Sequence, residues 1–215
     1  MCARFSLSDP GRIGDRWPGF KMRRAYLPRF NVAPTHDVLA ACADGEVREL
    51  RWGLVPAWAN DSAIGRRLIN ARAETLAEKP AFRDALRARR CVIFADGFYE
   101  WRHDGRAKRP FRFTVDHGRP FAFAGLHERR RRDGVTLETC AIVTCAPNQL
   151  LAPLHDRMPA ILDDDALDAW LRGDVDDALA VVVPFDPDRM RATEVSPLVN
   201  RVDFDDPRCI LPLTA

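Results

Sequence analysis

Residues 91–101 read Cys91-Val92-Ile93-Phe94-Ala95-Asp96-Gly97-Phe98-Tyr99-Glu100-Trp101. Two runs rich in β-branched and aromatic side chains flank an Asp-Gly pair, a strong short-range signal for a chain reversal between strands. The pattern continues toward residue 145. Phe111–Val115 follows a turn around Asp104-Gly105, Phe121–Leu126 follows His117-Gly118, and Val135–Thr144 follows Asp133-Gly134. Upstream, Asp37–Cys42 and Val47–Leu54 flank Asp44-Gly45. Each pair is expected to close a hairpin, giving a mainly antiparallel, curved β core.

Helical signals are fewer and peripheral. Pro80–Arg89 has proline near a first turn, with Phe82 and Leu86 at helical spacing. Asp163–Arg172 opens on three aspartates, which suit a helix N-terminus, and carries Leu167, Trp170 and Leu171. Ala146–Leu151 is expected to form one short helix. No linker, low-complexity stretch or repeat interrupts the chain. A single α+β domain over residues 1–215 is expected.

The 215 residues are 47% hydrophobic and 30% charged, enough for a sizeable core. No run of roughly 18 apolar residues exists to span a membrane. The opening Met-Cys-Ala-Arg-Phe-Ser-Leu-Ser-Asp lacks the apolar stretch of a signal peptide, so a cytoplasmic location is expected. The six cysteines lack zinc-site spacing, and the expected compartment disfavours disulfides. No metal or other cofactor is expected. The net charge of +2 conceals an asymmetry: residues 1–132 hold 27 basic and 15 acidic side chains, residues 133–215 hold 6 and 16. Nearly all the bases are arginine, which binds phosphate in a bidentate manner. An arginine-rich half suits nucleic acid, and it equally suits solvated faces.

Several polar residues interrupt otherwise apolar patterns. Glu100, between Tyr99 and Trp101, either faces solvent or lies in a pocket; a pocket would raise its pKa toward neutrality and equip it for proton transfer. His155 stands in Leu154-His155-Asp156-Arg157-Met158-Pro159, a turn unlike an ordinary linker. Asn70-Ala-Arg-Ala-Glu-Thr75, Asn31-Val-Ala-Pro-Thr35 and Arg51-Trp-Gly-Leu-Val-Pro56 are further irregular stretches. Their aromatic and arginine side chains suit unstacked bases, although tryptophan is more often core.

Taken in order with Met1-Cys2 and Arg4, with Phe121-Ala-Phe-Ala-Gly-Leu126 and with His155-Asp-Arg-Met-Pro159, these stretches resemble the SRAP family of SOS-response-associated peptidases or abasic-site-processing proteins. The resemblance runs in order from residue 1 to about residue 162 and weakly to the end. Ala3, Phe94 and His127 stand where the family tends to have Gly, Pro and Trp, and Ser196–Arg201 matches its Asn-rich turn poorly. The resemblance implies a covalent link between Cys2 and abasic sites in single-stranded DNA. It makes Cys2 the nucleophile, with Asn70, Glu100 and His155 completing the active site. Arg4, Arg72 and Arg157 are then candidates for phosphate contacts, and Pro34, Trp52 and Trp101 for wedging or stacking against bases. A monomer is expected, nucleoid-associated when bound to DNA.

The chemistry is specific to a chain terminus. Removal of Met1 would leave a mature chain starting at Cys2, with an α-amine and a thiol on adjacent carbons. An α-amine titrates near 7.7–8.0, so part of it is neutral at pH 7 and attacks an aldehyde. The thiol then closes on the imine carbon to give a thiazolidine. Two other readings stay open: a cysteine peptidase using Cys2 with His155, including removal of its own Met1, and a non-covalent module that binds single-stranded DNA.

Overall fold

The computed structural model describes residues 2–105, 107–132 and 134–213. Met1 and Asp133 lie outside them. In chain order the strands are β1 (Phe5–Leu7), β2 (Lys21–Met22), β3 (Arg29–Val32), β4 (Asp37–Cys42), β5 (Glu46–Trp52), β6 (Asn70–Arg72) and β7 (Arg90–Ala95). They continue as β8 (Gly97–Asp104), β9 (Ala107–Val115), β10 (Phe121–Arg132), β11 (Val135–Cys145), β12 (Met158–Pro159), β13 (Ile161–Leu162) and β14 (Met190–Glu194). The α-helices are short: α1 (Arg12–Arg16), α2 (Arg83–Ala88), α3 (Ala166–Arg172) and α4 (Val175–Ala180).

Two sheets form the core, as an α+β chain with a mainly antiparallel β core requires. One runs β14-β9-β8-β1-β3; the other runs β12-β11-β10-β7-β4-β5-β2. In the larger sheet β11 also pairs in parallel with β5, so β5, β4, β7, β10 and β11 close into a ring. The sheets meet through aromatic contacts: Phe5 lies 5.1 Å from Trp52 and 5.8 Å from Phe123, ring centre to ring centre.

Three of the five expected hairpins form, at Asp44-Gly45, Asp104-Gly105 and before Val135. The other two turns are corners between sheets. β7 pairs with β4 and β10, whereas β8 pairs with β1 and β9, so the chain changes sheet at Asp96-Gly97. It changes back after Asp116-His117-Gly118, where all three residues have positive φ. A turn signal encodes reversal and leaves the partner of the next strand open. The partner here is set by buried polar bonds. The Asp96 carboxylate accepts from Ser6 Oγ at 2.7 Å, Ser8 N at 2.5 Å and Arg112 at 2.8 Å, which binds the corner to β1 and β9. At the second corner, the Asp116 carboxylate holds Arg189 through bonds of 3.0 and 2.7 Å.

The Arg112 guanidinium crosses directly over Gly97, where a Cβ would lie 2.5 Å from its Nε. Gly97→Ala is therefore expected to destabilise the fold by about 2 kcal/mol, the order of an overpacked core site, seen as a melting point lower by roughly 4–8 °C. An unchanged melting point would show that Arg112 moves aside at no cost.

The expected helices over Pro80–Arg89 and Asp163–Arg172 are present but begin later, at Arg83 and Ala166. Ala146–Leu151 is not a helix. The Asn148 side chain takes the amides of Leu150 and Leu151, at 3.1 and 3.0 Å, and holds the segment as a turn. No helix among the described residues is long and apolar enough to cross a membrane.

Candidate active site

The site gathers where β1, β6 and β8 approach the turn before β12. The β1–β8 ladder places Phe5 opposite Phe98, and Tyr99 N donates to Arg4 O at 3.0 Å. Side chains alternate along a strand, so Glu100 shares its face with the core residue Phe98, while Tyr99 points the other way and donates its hydroxyl to Phe30 O at 2.6 Å. Glu100 is thus in a pocket, only 5% exposed. Burial pushes its carboxyl up to about 7, against the opposing charge of the amino terminus.

Cys2 precedes β1 and is fully buried. Asn70, at the head of β6, donates from Nδ2 to Cys2 O at 2.8 Å and fixes the backbone there. The Asn70 Oδ1 is buried with no hydrogen-bond partner among the described residues. An acceptor is thereby left beside Cys2. Burial drives the Cys2 thiol far above the usual thiol range, and the charge of Glu100 adds to the effect.

His155 is half-buried, and burial lowers its pKa, helped by the amino terminus. Its Nδ1 lies 3.0 Å from Arg157 N and 2.7 Å from Asp156 Oδ1. The neutral ring accepts from the Arg157 amide; only a protonated Nδ1 would donate to Asp156. The lowered pKa favours a neutral ring. Glu100 lies close enough to Cys2 for its charge to act on the thiol.

The arginines proposed for DNA phosphates differ in availability. Arg72 is exposed and has no hydrogen-bond or ion-pair partner among the described residues. Arg4 donates to Asn31 Oδ1 and Val199 O, both at 2.7 Å. Arg157 grips Glu74 at 2.6 and 2.8 Å and donates to Thr144 O at 2.5 Å. Both are anchored within the fold.

The stacking candidates separate too. Pro34 and Trp101 are half-buried, and Trp101 Nε1 donates to Asn200 Oδ1 at 2.6 Å. Trp52 is a correction: it is fully buried, packs on Phe5 and donates from Nε1 to Ile69 O at 2.8 Å, leaving no face for a base. An exposed tryptophan, Trp58, stands in the following loop, where sequence reasoning passed it over.

The tail was also missed. Asn31 is fully buried and donates from Nδ2 to Val199 O, Arg201 O and Phe204 O at 3.2, 2.8 and 2.7 Å. Together with Arg4 it staples residues 199–204 to β3 and to the segment between Cys2 and β1. The available signal was a polar residue between Phe30 and Val32 in a strand. Among the described residues no group of three or more His, Cys, Asp or Glu side chains is placed to hold a metal ion.

Comparison with known proteins agrees with this architecture. The family model described as SOS response associated peptidase (SRAP) matches residues 1–202. The chain is 43% identical over 221 residues to abasic site processing protein YoqW of Bacillus subtilis, covering 98% of this chain and 99% of the relative. It is 31% identical over 237 residues to abasic site processing protein HMCES of Xenopus tropicalis, covering 92% and 70%. A crystal structure of a protein from Bacteroides thetaiotaomicron superposes with a TM-score of 0.90 at 26% identity, covering 99% of this chain and all of that one.

Proposed function

The chain belongs to the SOS response associated peptidase (SRAP) family, and from that premise we propose that it captures abasic sites in single-stranded DNA as a thiazolidine on Cys2. The observation that carries the reading is the pairing of Cys2, held by Asn70, with a buried Glu100 whose carboxyl sits near pH 7. Such a group gives and takes protons with equal ease at neutral pH.

The steps follow from the groups present. Met1 is removed, and the freed amine of Cys2 attacks the C1 aldehyde of the ring-opened sugar. Glu100, in its acid form, assists ring opening and protonates the departing hydroxyl as the carbinolamine loses water to an imine. The Cys2 sulfur then adds to the imine carbon. The thiol proton passes to Glu100, the nitrogen recovers one, and the net product is thiazolidine and one water. Asn70 orients Cys2, and neutral His155 assists proton transfer at the sugar. An imine left open would allow elimination of the 3′ phosphate, a lyase reaction, and ring closure removes that intermediate.

One feature favours this over a cysteine peptidase. A peptidase needs a thiolate, and burial drives the Cys2 thiol in the opposite direction. Intact-mass spectrometry with an abasic oligonucleotide tests the proposal. The expected product has the mass of the protein without Met1 plus the oligonucleotide, less one water. Failure to find that product, with Met1 already removed, would reject covalent capture.

A further inference from the structure

Two of the three arginines assigned to phosphates are anchored internally, so most of the free positive charge lies elsewhere. Part of it lies on the outer face of the closed ring. Along β10, Arg130 and Arg132 point the same way, and both donate to one carbonyl, Asn60 O, at 3.4 and 2.8 Å. The chain beyond Asn60 walls a cleft lined by Asp61, Gly65, Arg66, Thr35, Arg51 and Leu137. Leu137 is the cross-strand partner of Arg130, which makes the cleft and the paired guanidinium groups one surface. Arg51 and Arg66 are exposed and have no ion-pair partner among the described residues. Asp61 is the acid in the cleft wall, and its carboxylate caps the following turn by accepting from Ala63 N at 2.8 Å. Arg51, Arg66 and Arg130 thus outnumber the carboxylates beside them, Asp61 in the cleft wall and Asp37, the cross-strand partner of Arg51.

Like charges so gathered repel, and a polyanion relieves them. β11 gives the scale. Asn70 pairs with Ile142, Arg51 with Thr139 and Arg130 with Leu137. At about 3.3 Å per residue the basic surface lies roughly 10–17 Å along β11 from Asn70. We infer that the Arg51–Arg66–Arg130 surface is a second phosphate-binding site, which holds the DNA backbone flanking the lesion. This rests on the DNA-processing reading above.

The test compares the wild type with the triple variant R51Q/R66Q/R130Q, all surface changes. Binding is followed by fluorescence anisotropy across a salt series. The probes are a short abasic oligonucleotide that reaches only the Cys2 site and a longer one extended on both sides. For the long oligonucleotide the triple variant is expected to bind about tenfold more weakly, with a log–log salt slope shallower by about 2, near 0.7 per lost phosphate contact. Affinity for the short one, and its adduct rate at saturation, should be unchanged. An unchanged slope on the long oligonucleotide would overturn the inference and leave this charge to an acidic protein partner. Equal weakening on both lengths would overturn it as well. Absence of DNA binding and adduct in the wild type would instead reject the proposed function itself.

Discussion

Cys2→Ala is expected to yield no heat-stable protein–DNA species with abasic single-stranded DNA, a loss limited only by detection. The variant keeps an α-amine once Met1 is removed, so it still forms an imine. That imine lacks the thiol that closes the ring, and it hydrolyses. Borohydride, which reduces an imine to a stable amine, should therefore trap the Cys2→Ala protein on DNA, while the untreated sample shows none. A form that keeps a residue ahead of Cys2 has the thiol and no free amine there, and it should fail in both conditions. Unfolding does not explain these losses. Cys2 is buried, and losing its sulfur costs on the order of 1 kcal/mol, a small part of a domain's stability. A heat-stable band from Cys2→Ala without reductant would falsify the thiazolidine chemistry.

The residues of this site were legible because each breaks a local pattern: a cysteine at position 2, a carboxylate inside an aromatic run, a histidine in a turn of charged residues. What they touch was not legible. Alternation allowed Glu100 to face either way, and the choice was made by the register of β8 on β1, a long-range pairing. The same limit explains the two false hairpins. Asp96-Gly97 announces a reversal, but the bonds of Asp96 to Ser6, Ser8 and Arg112 decide that β8 joins the other sheet. For Trp52, residue type suggested stacking, whereas its indole bond to Ile69 O and its contact with Phe5 make it core. Charge was legible as an excess of arginine. Its division into internal anchors such as Arg157 and free groups such as Arg51 depended on where Glu74 happened to lie.

Glu100→Gln separates chemistry from stability in one variant. Glutamine keeps the shape and cannot exchange the proton, so adduct formation is expected to slow by about 100-fold, with DNA binding retained. The wild-type rate should bend near pH 7, where the buried carboxyl titrates, and the variant should lack that bend. Stability should move the other way. The folded state holds this proton up to about pH 7, while the unfolded chain releases it near 4.5. Between those values the folded state binds more protons, so wild-type stability falls as pH rises and is level above 7. The fall is on the order of 3 kcal/mol. In Glu100→Gln that term is absent, so the variant should match the wild type near pH 4 and exceed it at pH 8 in urea unfolding. Unchanged adduct kinetics would remove Glu100 from acid–base work. Parallel stability curves across pH would mean that its ionisation is not hindered by burial. A slow enzyme that is also more stable at alkaline pH is the signature of a carboxyl held in the core for its proton, at a cost to the fold.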